Sequence, residues 1–244
     1  MKRTSLTQRV YNRLIDKFYA REFRPGDSID RKRVAEEVGV SVGTVLIAIN
    51  QLEADGFVET LPRKGTLVRS VGFQEVLGQL LTREAFECQA ARLYCGRPVE
   101  EHLHRLLPMA RDLDRVTDFD SQSIHLDEEF HAELVKLTQQ PVFIDNYAKI
   151  IKLSSFFSFL YFSPDFVQVE RDSHVQLLQR LQTSDQDVAE RAVRHHIRWG
   201  RPYLFPQEGP FSSHEHVTAS NSTAPGSPSG EAWREARQRG PEDR

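Results

Sequence analysis

Residues 31–56 read RKRVAEEVGVSVGTVLIAINQLEADG and contain two helical patterns separated by a tight turn. Gly39 predicts a left-handed cap that ends the first helix, because glycine adopts this conformation without steric cost. Ser41 predicts an N-cap for the second helix, since its hydroxyl can accept a hydrogen bond from the first turn. Apolar side chains recur at helical spacing, at Val34, Ala35 and Val38 and then at Val45, Ile49 and Leu52. Two helices joined this closely are typical of a helix-turn-helix.

The segments on either side extend this pattern into a winged helix-turn-helix. Residues 6–19 carry apolar side chains at helical spacing and precede a turn that contains proline and glycine. After the second helix, residues 57–68 contain two short β-rich runs. The turn between these runs includes Arg63, Lys64 and Gly65, so we expect a hairpin with two exposed cations at its tip.

The remainder of the chain is helical in pattern up to about residue 205, and we expect an antiparallel helical bundle. The amphipathic segments are six in number, at roughly 73–95, 98–115, 121–139, 142–160, 166–182 and 185–204. Thr183 or Ser184 is expected to cap the last of them. The aromatic residues Phe156, Phe157, Phe159, Tyr161 and Phe162 are expected to lie in the core. We therefore predict a mainly α fold with a winged helix-turn-helix at 1–70, a helical domain at 71–206 and a disordered tail at 207–244.

Charge is distributed unevenly along the 244 residues, although the net charge is only −3. Residues 1–70 carry 13 Lys and Arg against 9 Asp and Glu, whereas residues 71–244 carry 19 against 26. A basic small part favours a polyanionic partner, although solvated surface charge could also account for it. The apolar runs are too short for a membrane span, and we expect a cytoplasmic protein with reduced cysteines.

Four polar residues of the helical part have the donor types and spacing of a metal site. Asp127 and His131 are four residues apart and share a helix face, and His174 and His196 lie on later helices. Converging imidazoles and a carboxylate would suit Zn²⁺, Ni²⁺ or Mn²⁺. The spacing alone leaves open that these are unrelated polar residues at helix edges. His195 is expected to lie about 100° around the helix from His196, towards Trp199.

Several motifs carry a resemblance to a known family. The sequences FRPGD (23–27), VAEEVGVS (34–41), QLEADGFV (51–58) and RKGTLV (63–68) resemble the DNA-binding domain of the GntR family. LDEEFH (126–131) resembles the metal-bearing helix of the FadR-type effector domain, the FCD fold, in its six-helix, VanR-like branch.

The resemblance implies a homodimeric transcriptional regulator that binds a two-fold-related, double-stranded DNA operator. It also implies a divalent transition metal held by Asp127, His131, His174 and His196, and a small carboxylate effector bound at that metal. Arg83 occupies the position of an arginine that faces this pocket in the family, and its guanidinium suits a carboxylate. An intrahelical pair between Arg83 and Glu87 is the alternative.

The recognition helix departs from the family, which has arginines at two positions occupied here by Val42 and Leu46. Arginine is the commonest reader of guanine, so specificity would rest on apolar contacts, such as Val42 against a thymine methyl group, and on DNA shape. The predicted DNA-binding residues are Lys32, Arg33, Ser41, Val42, Thr44, Arg63, Lys64 and Gly65. The alternative is a domain that binds DNA weakly or binds a protein partner.

We therefore expect a ligand-responsive, DNA-binding transcriptional regulator and not an enzyme. A metal-dependent enzyme acting on a small organic acid is the rival interpretation, with Glu128, Glu129 or His195 as general base. The sequence contains neither His-Glu-x-x-His nor a nucleophile motif. A sensor that has lost sequence-specific DNA binding is a further alternative.

Overall fold

A computed structural model describes residues 5–116, 120–161 and 172–199. The winged part comprises α1 (Leu6–Tyr19), α2 (Arg31–Val38), α3 (Val42–Ala54), β1 (Val58–Leu61) and β2 (Gly65–Val68). The helical part comprises α4 (Phe73–Tyr94), α5 (Arg97–Arg115), α6 (Ser121–Lys136), α7 (Pro141–Tyr161), α8 (His174–Leu181) and α9 (Gln186–Arg198). The predicted mainly α fold is confirmed. The predicted tail (207–244), the expected start of a helix at 166 and the expected helix end at 204 lie outside the described residues.

The helix-turn-helix is built by the predicted capping residues. Gly39 ends α2 with a φ of 71°, in the left-handed region. The Ser41 hydroxyl accepts a hydrogen bond from the Thr44 N–H and begins α3. Asp30, which the sequence analysis did not single out, caps α2 by accepting from the N–H groups of Lys32 and Arg33.

The wing is a two-stranded antiparallel hairpin in which Val58 pairs with Val68 and Leu61 pairs with Gly65. Gly65 has a φ of 84°, a left-handed value that glycine adopts easily. Arg63 also has a positive φ, 66°, so the turn places two consecutive exposed cations, Arg63 and Lys64, at the tip. The expected basic-tipped hairpin is confirmed.

In the helical part, α4 packs against α7 and α9, while α5 packs against α6 and α8. The last helix begins one residue later than expected. The Asp185 carboxylate, and not Thr183 or Ser184, accepts from the N–H groups of Asp187 and Val188. Aspartate caps a helix as well as serine or threonine does, and its negative charge is also stabilised by the positive end of the helix dipole. None of the described helices combines the length and apolar character needed to cross a bilayer.

The apolar interior forms two clusters, one within the bundle and one shared between the winged part and residues of α4, α6 and α7. Phe156 joins the shared cluster: its ring centroid is 5.5 Å from that of Phe18 in α1 and 4.9 Å from that of Phe57 beside the wing. Phe159 packs edge-on against Tyr19 at 5.2 Å. Phe156, Phe157 and Phe159 are buried as predicted, and they attach α7 to the winged part. The side chain of Tyr161, and all of Phe162, lie outside the described residues.

We predict that Phe156→Ala lowers the free energy of unfolding by about 3–5 kcal/mol, because the ring is fully buried and its removal leaves a cavity. Val142→Ala is the control, since Val142 on α7 is 76% exposed. Urea denaturation of both variants checks the prediction. Equal unfolding midpoints would show that Phe156 does not hold α7 against the winged part.

Candidate metal centre

Three histidines from three helices meet inside the helical part. His131 lies on α6, His174 begins α8 and His196 lies on α9. Their ring centroids are 4.8 to 5.9 Å apart, and one ring nitrogen from each lies within 4.8 Å of the others. Imidazoles this close can share one metal ion.

Asp127 completes the donor set that the sequence predicted. Its Oδ1 lies 3.3 Å from Nε2 of His174 and 3.6 Å from Nε2 of His131. The spacing of four residues on α6 therefore places Asp127 and His131 on the same side of the helix. Asp127 thus lies beside His131 and His174, while the ring nitrogens that all lie within 4.8 Å of one another belong to the three histidines.

Each histidine also has a carboxylate beside its Nδ1. Glu87 Oε2 is 2.9 Å from Nδ1 of His131, and Asp114 Oδ1 is 3.1 Å from Nδ1 of His174. Asp172 Oδ2 is 3.4 Å from Nδ1 of His196. Carboxylates in this position orient metal-ligating histidines and raise their basicity. From the sequence, Glu87 was predicted only as a partner for Arg83, and Asp114 and Asp172 were not predicted as partners of histidines. Their contacts join segments that are distant in the chain, so no local pattern indicates them.

The histidines are incompletely hydrogen-bonded. Neither ring nitrogen of His131 makes a hydrogen bond of acceptable geometry within the described residues, nor does Nδ1 of His196, and all three atoms are buried. Buried polar atoms in native proteins usually have partners, and a bound ion or water can supply the partner that the protein does not. The donor types and the orphaned nitrogens fit a transition metal.

The surroundings of the histidines raise the pKa of His131 and His174 and lower that of His196. Burial opposes the charge of His174, but Asp114 and Asp127 raise its pKa to about 9. Burial also opposes the charge of His131, whose pKa is nevertheless raised by Glu87 and Asp127. The pKa of His196 falls to about 4, because burial and the two neighbouring imidazoles disfavour a further positive charge. In the absence of a metal, the site thus favours protons on His131 and His174.

Arg83 forms the intrahelical pair with Glu87 that the sequence offered as one alternative, and it also approaches Asp127. Its Nε donates to Glu87 Oε1 at 2.6 Å within α4, and its Nη2 lies 3.6 Å from Asp127 Oδ2. Tyr147 also donates to Glu87 Oε1, at 2.6 Å. Burial disfavours the charge of Arg83, but Glu87 and Asp127 raise its pKa above the ordinary value. The intrahelical pair therefore holds a guanidinium beside the histidine cluster.

A cavity of about 140 Å³ opens onto these groups. Its lining consists of Arg83, Ser123, Ile124, Asp127, Ser155, Ser158, Asp172, His174, His196, Ile197 and Trp199. A cavity of about this size accepts a molecule no larger than benzene. Glu128, Glu129 and His195, the bases of the enzyme interpretation, are not among the lining residues. His195 is exposed and packs against Trp199 at a ring distance of 4.9 Å, as expected.

The predicted DNA-binding residues cluster on the winged part. Lys32 and Arg33 are exposed in the first turn of α2, and Val42 is exposed at the start of α3. The hydroxyls of Ser41 and Thr44 lie 2.9 Å apart at the same helix end. The predicted wing residues Arg63, Lys64 and Gly65 are all exposed.

Comparison with known proteins identifies both parts of the chain. Residues 6–68 match the family described as bacterial regulatory proteins, gntR family, and residues 80–198 match the FCD domain. The chain joins a gntR-family domain to an FCD domain. It is 25% identical to the HTH-type transcriptional repressor RspR of Escherichia coli (strain K12) over 184 residues, 71% of this chain and 78% of that protein.

Another relative and two solved structures also resemble the chain. The Nta operon transcriptional regulator of Aminobacter aminovorans is 30% identical over 118 residues, 48% of this chain and only 56% of that protein's length. The solved structure of E. coli McbR/YncC has a TM-score of 0.64 and 19% identity, over 82% of this chain and 97% of that one. A transcriptional regulator, GntR, from Rhodococcus sp. RHA1 has a TM-score of 0.60 and 18% identity, over 81% and 96%. At these identities the two structures show a shared fold, while the family and the relatives' names indicate a DNA-binding transcriptional regulator and not an enzyme.

We predict that Glu87→Gln lowers the free energy of unfolding by about 3 kcal/mol in the presence of a chelator. The change removes the nearer of the two carboxylates that face Arg83 and His131 and leaves these buried groups only Asp127, at 3.6 Å, and removing a partner of a buried charge is strongly destabilising. Urea denaturation provides the measurement.

The matched control for this variant is Glu101→Gln. Arg97 and Glu101 form another Arg–Glu pair four residues apart in a helix, but their side chains are 86% and 53% exposed. Solvent screens such a pair, so its loss leaves the unfolding midpoint unchanged. A Glu87 variant as stable as this control would contradict the assigned role of Glu87.

Proposed function

We propose that this GntR regulator senses a small carboxylate through a divalent transition metal bound by Asp127, His131, His174 and His196. The observation that carries the proposal is the convergence of three imidazoles and one carboxylate from three helices beside a small cavity. Zn²⁺, Ni²⁺ and Mn²⁺ are the metals considered, since each accepts nitrogen and oxygen ligands.

The charge balance of the site supports a divalent cation. Among the described residues, four carboxylates lie against the histidines, and three of these carboxylates also contact one of two guanidinium groups. The carboxylates belong to Glu87, Asp114, Asp127 and Asp172, and the guanidiniums to Arg83 and Arg180. With neutral histidines, the form that ligates metals, two negative charges remain. One divalent cation balances them.

The cavity and its charges also favour a small anion. When bound, the metal would supply positive charge and open coordination positions that an anionic oxygen can occupy. Arg83 would add a hydrogen-bonding guanidinium from the cavity wall, held in place by Glu87. Ser123, Ser155 and Ser158 also line the cavity, and their hydroxyls can donate to a carboxylate.

Helix α6 offers a route from this site to the winged part. Asp127 and His131 belong to the site, while Glu128 between them accepts a hydrogen bond from the Tyr19 hydroxyl of α1 at 3.0 Å. His125, also on α6, lies 3.2 Å from Asp16 of α1. A ligand that shifts α6 would alter these contacts, and it would change DNA binding if it favoured one arrangement over the other.

On the DNA side, we propose a cytoplasmic homodimer that places two winged domains on a two-fold-related operator. Lys32, Arg33, Arg63 and Lys64 would contact phosphates, and Gly65 would allow the wing to approach the backbone closely. Ser41, Val42 and Thr44, at the N-terminus of α3, would face the base edges.

We predict that the double variant His174→Ala/His196→Ala retains no Zn²⁺ or Ni²⁺ after loading and desalting, because two of four ligands are removed. His195→Ala is the matched control, since His195 is exposed on the same helix as His196. Elemental analysis of the purified proteins gives the metal content. Equal metal content in wild type and double variant would exclude this site.

We predict that Tyr19→Phe uncouples the winged part from the metal site. In the wild type, zinc is expected to slow backbone amide hydrogen exchange in α6 and also in α1, through Tyr19 and Glu128. In Tyr19→Phe the slowing is confined to α6. Hydrogen-exchange mass spectrometry with and without zinc measures both effects.

Tyr11→Phe is the control for that experiment. The Tyr11 hydroxyl also donates to a carboxylate, Asp55 at 2.9 Å, but this contact stays within the winged part. Tyr11→Phe should therefore keep the effect of zinc on α1. Slowing of α1 in Tyr19→Phe, or no slowing of α1 in the wild type, would rule out this route.

A further inference from the structure

The solvent-facing side of α3 carries three apolar side chains. Val42 is 44% exposed, Leu46 39% and Ile47 54%. The opposite side of the same helix is buried, with Val45, Ile49 and Leu52 fully enclosed. The three exposed side chains therefore add nothing to the core and form a surface that we call the α3 apolar face.

This face is small and uncharged. The first charged residue of α3 is Glu53, in its last turn. Val42 and Ile47 are five residues apart, so their separation along the helix axis is about 7.5 Å. This length corresponds to roughly two base-pair steps of 3.4 Å.

The exposed cations of the winged part lie on the elements next to α3 and not on its apolar face. Lys32 and Arg33 are exposed at the start of α2, which packs against α3, and Arg63 and Lys64 are exposed at the wing tip. Lysine and arginine in such places bind phosphates, which positions a protein on DNA without reading the sequence. The charge pattern thus complements a duplex whose phosphates flank the apolar face.

We propose that this regulator reads its operator through thymine methyl groups, with Val42, Leu46 and Ile47 packed against the C5 methyls of A·T pairs in the major groove. The thymine methyl is the apolar group that a base pair displays there, so it is the part of the base edges that suits aliphatic side chains. Asn50, exposed one turn beyond Leu46, is of the type that pairs with adenine, the partner of thymine. The proposal rests on the DNA-binding role of the chain and is independent of the metal.

The size of the face argues against a protein partner. A stable protein–protein interface buries about 800 Å² on each side, far more than three side chains provide. The surrounding cations would also have to be matched by acidic groups of the partner. A DNA duplex supplies the negative charge and the methyl groups together.

The experiment uses the full chain and duplexes selected for binding from a random library at near-physiological salt. Each thymine of the selected half-site is then replaced by deoxyuridine, which keeps the hydrogen-bonding groups and lacks the methyl. Affinity is expected to fall about threefold to fivefold for each contacted methyl, the factor expected for returning one methyl group to water. Uracil outside the half-site is the DNA control and should have no effect.

Variants assign each methyl to a side chain. In Leu46→Ala and in Ile47→Ala, replacing thymine by deoxyuridine should no longer lower the affinity at one position. The side chain that contacted that methyl group is already absent. Val142 is exposed on α7, and Val142→Ala should lose affinity at every uracil position by the same factor as the wild type. Since all these side chains are exposed, their removal should leave the unfolding midpoint unchanged.

Three results would overturn the proposal. Selected sites that tolerate uracil everywhere would mean that hydrogen bonds or DNA shape carry the specificity. Equal binding to all duplexes with a steep salt dependence would mean that only phosphates are contacted. If the protein bound no DNA and instead bound a protein that is lost in Leu46→Ala and Ile47→Ala, the α3 apolar face would be a protein-binding surface. Each result can occur with or without zinc binding, so it is distinguishable from failure of the metal proposal.

Discussion

The helical part of this protein buries charged side chains, Arg83 and Glu87 among them, and each of them needs a partner. Glu87 is central to this requirement: it accepts hydrogen bonds from Arg83 and Tyr147, and its second oxygen lies beside His131. These contacts join α4, α6 and α7. His131 also lies close to His174 of α8 and His196 of α9, so the cluster includes these two helices as well. Because an unpaired buried charge is costly, these contacts favour the relative positions of the helices in which every one of the charges is paired.

Helix α6 lies between two interiors of different character. On one side of the helix, Asp127 and His131 belong to the candidate metal site. On another side, Glu128 and His125 contact Tyr19 and Asp16 of α1. The second interior is aromatic, since Phe156 of α7 packs against Phe18 and Phe57 of the winged part. The same pair of helices therefore forms the cavity and holds the winged part, which provides a physical basis for coupling between them.

The winged part separates the groups that attract DNA from those that would discriminate between sequences. Exposed cations lie at the start of α2 and on the wing, whereas the exposed face of α3 is apolar. Phosphate contacts give affinity that depends strongly on salt and little on sequence. In this arrangement, specificity depends on close apolar packing, which is short in range and sensitive to a single methyl group.

The sequence by itself determined the elements and their order. Capping by Ser41 and Gly39, the basic hairpin and the six amphipathic segments all follow from local rules of backbone conformation and periodicity. The i, i+4 spacing also placed Asp127 and His131 on one side of a helix. His174 and His196 were candidates because they lie on the last two helices, and the resemblance to the family supported both as ligands.

Only the tertiary structure decided which distant groups meet. It brought Asp114 to His174 and Asp172 to His196, and it directed the aromatic residues of α7 towards the winged part. It also showed that Arg83 pairs with Glu87 while lining the cavity, two interpretations that the sequence presented as alternatives. These contacts depend on how the helices pack, and no local pattern of residues encodes the distance between side chains on different helices.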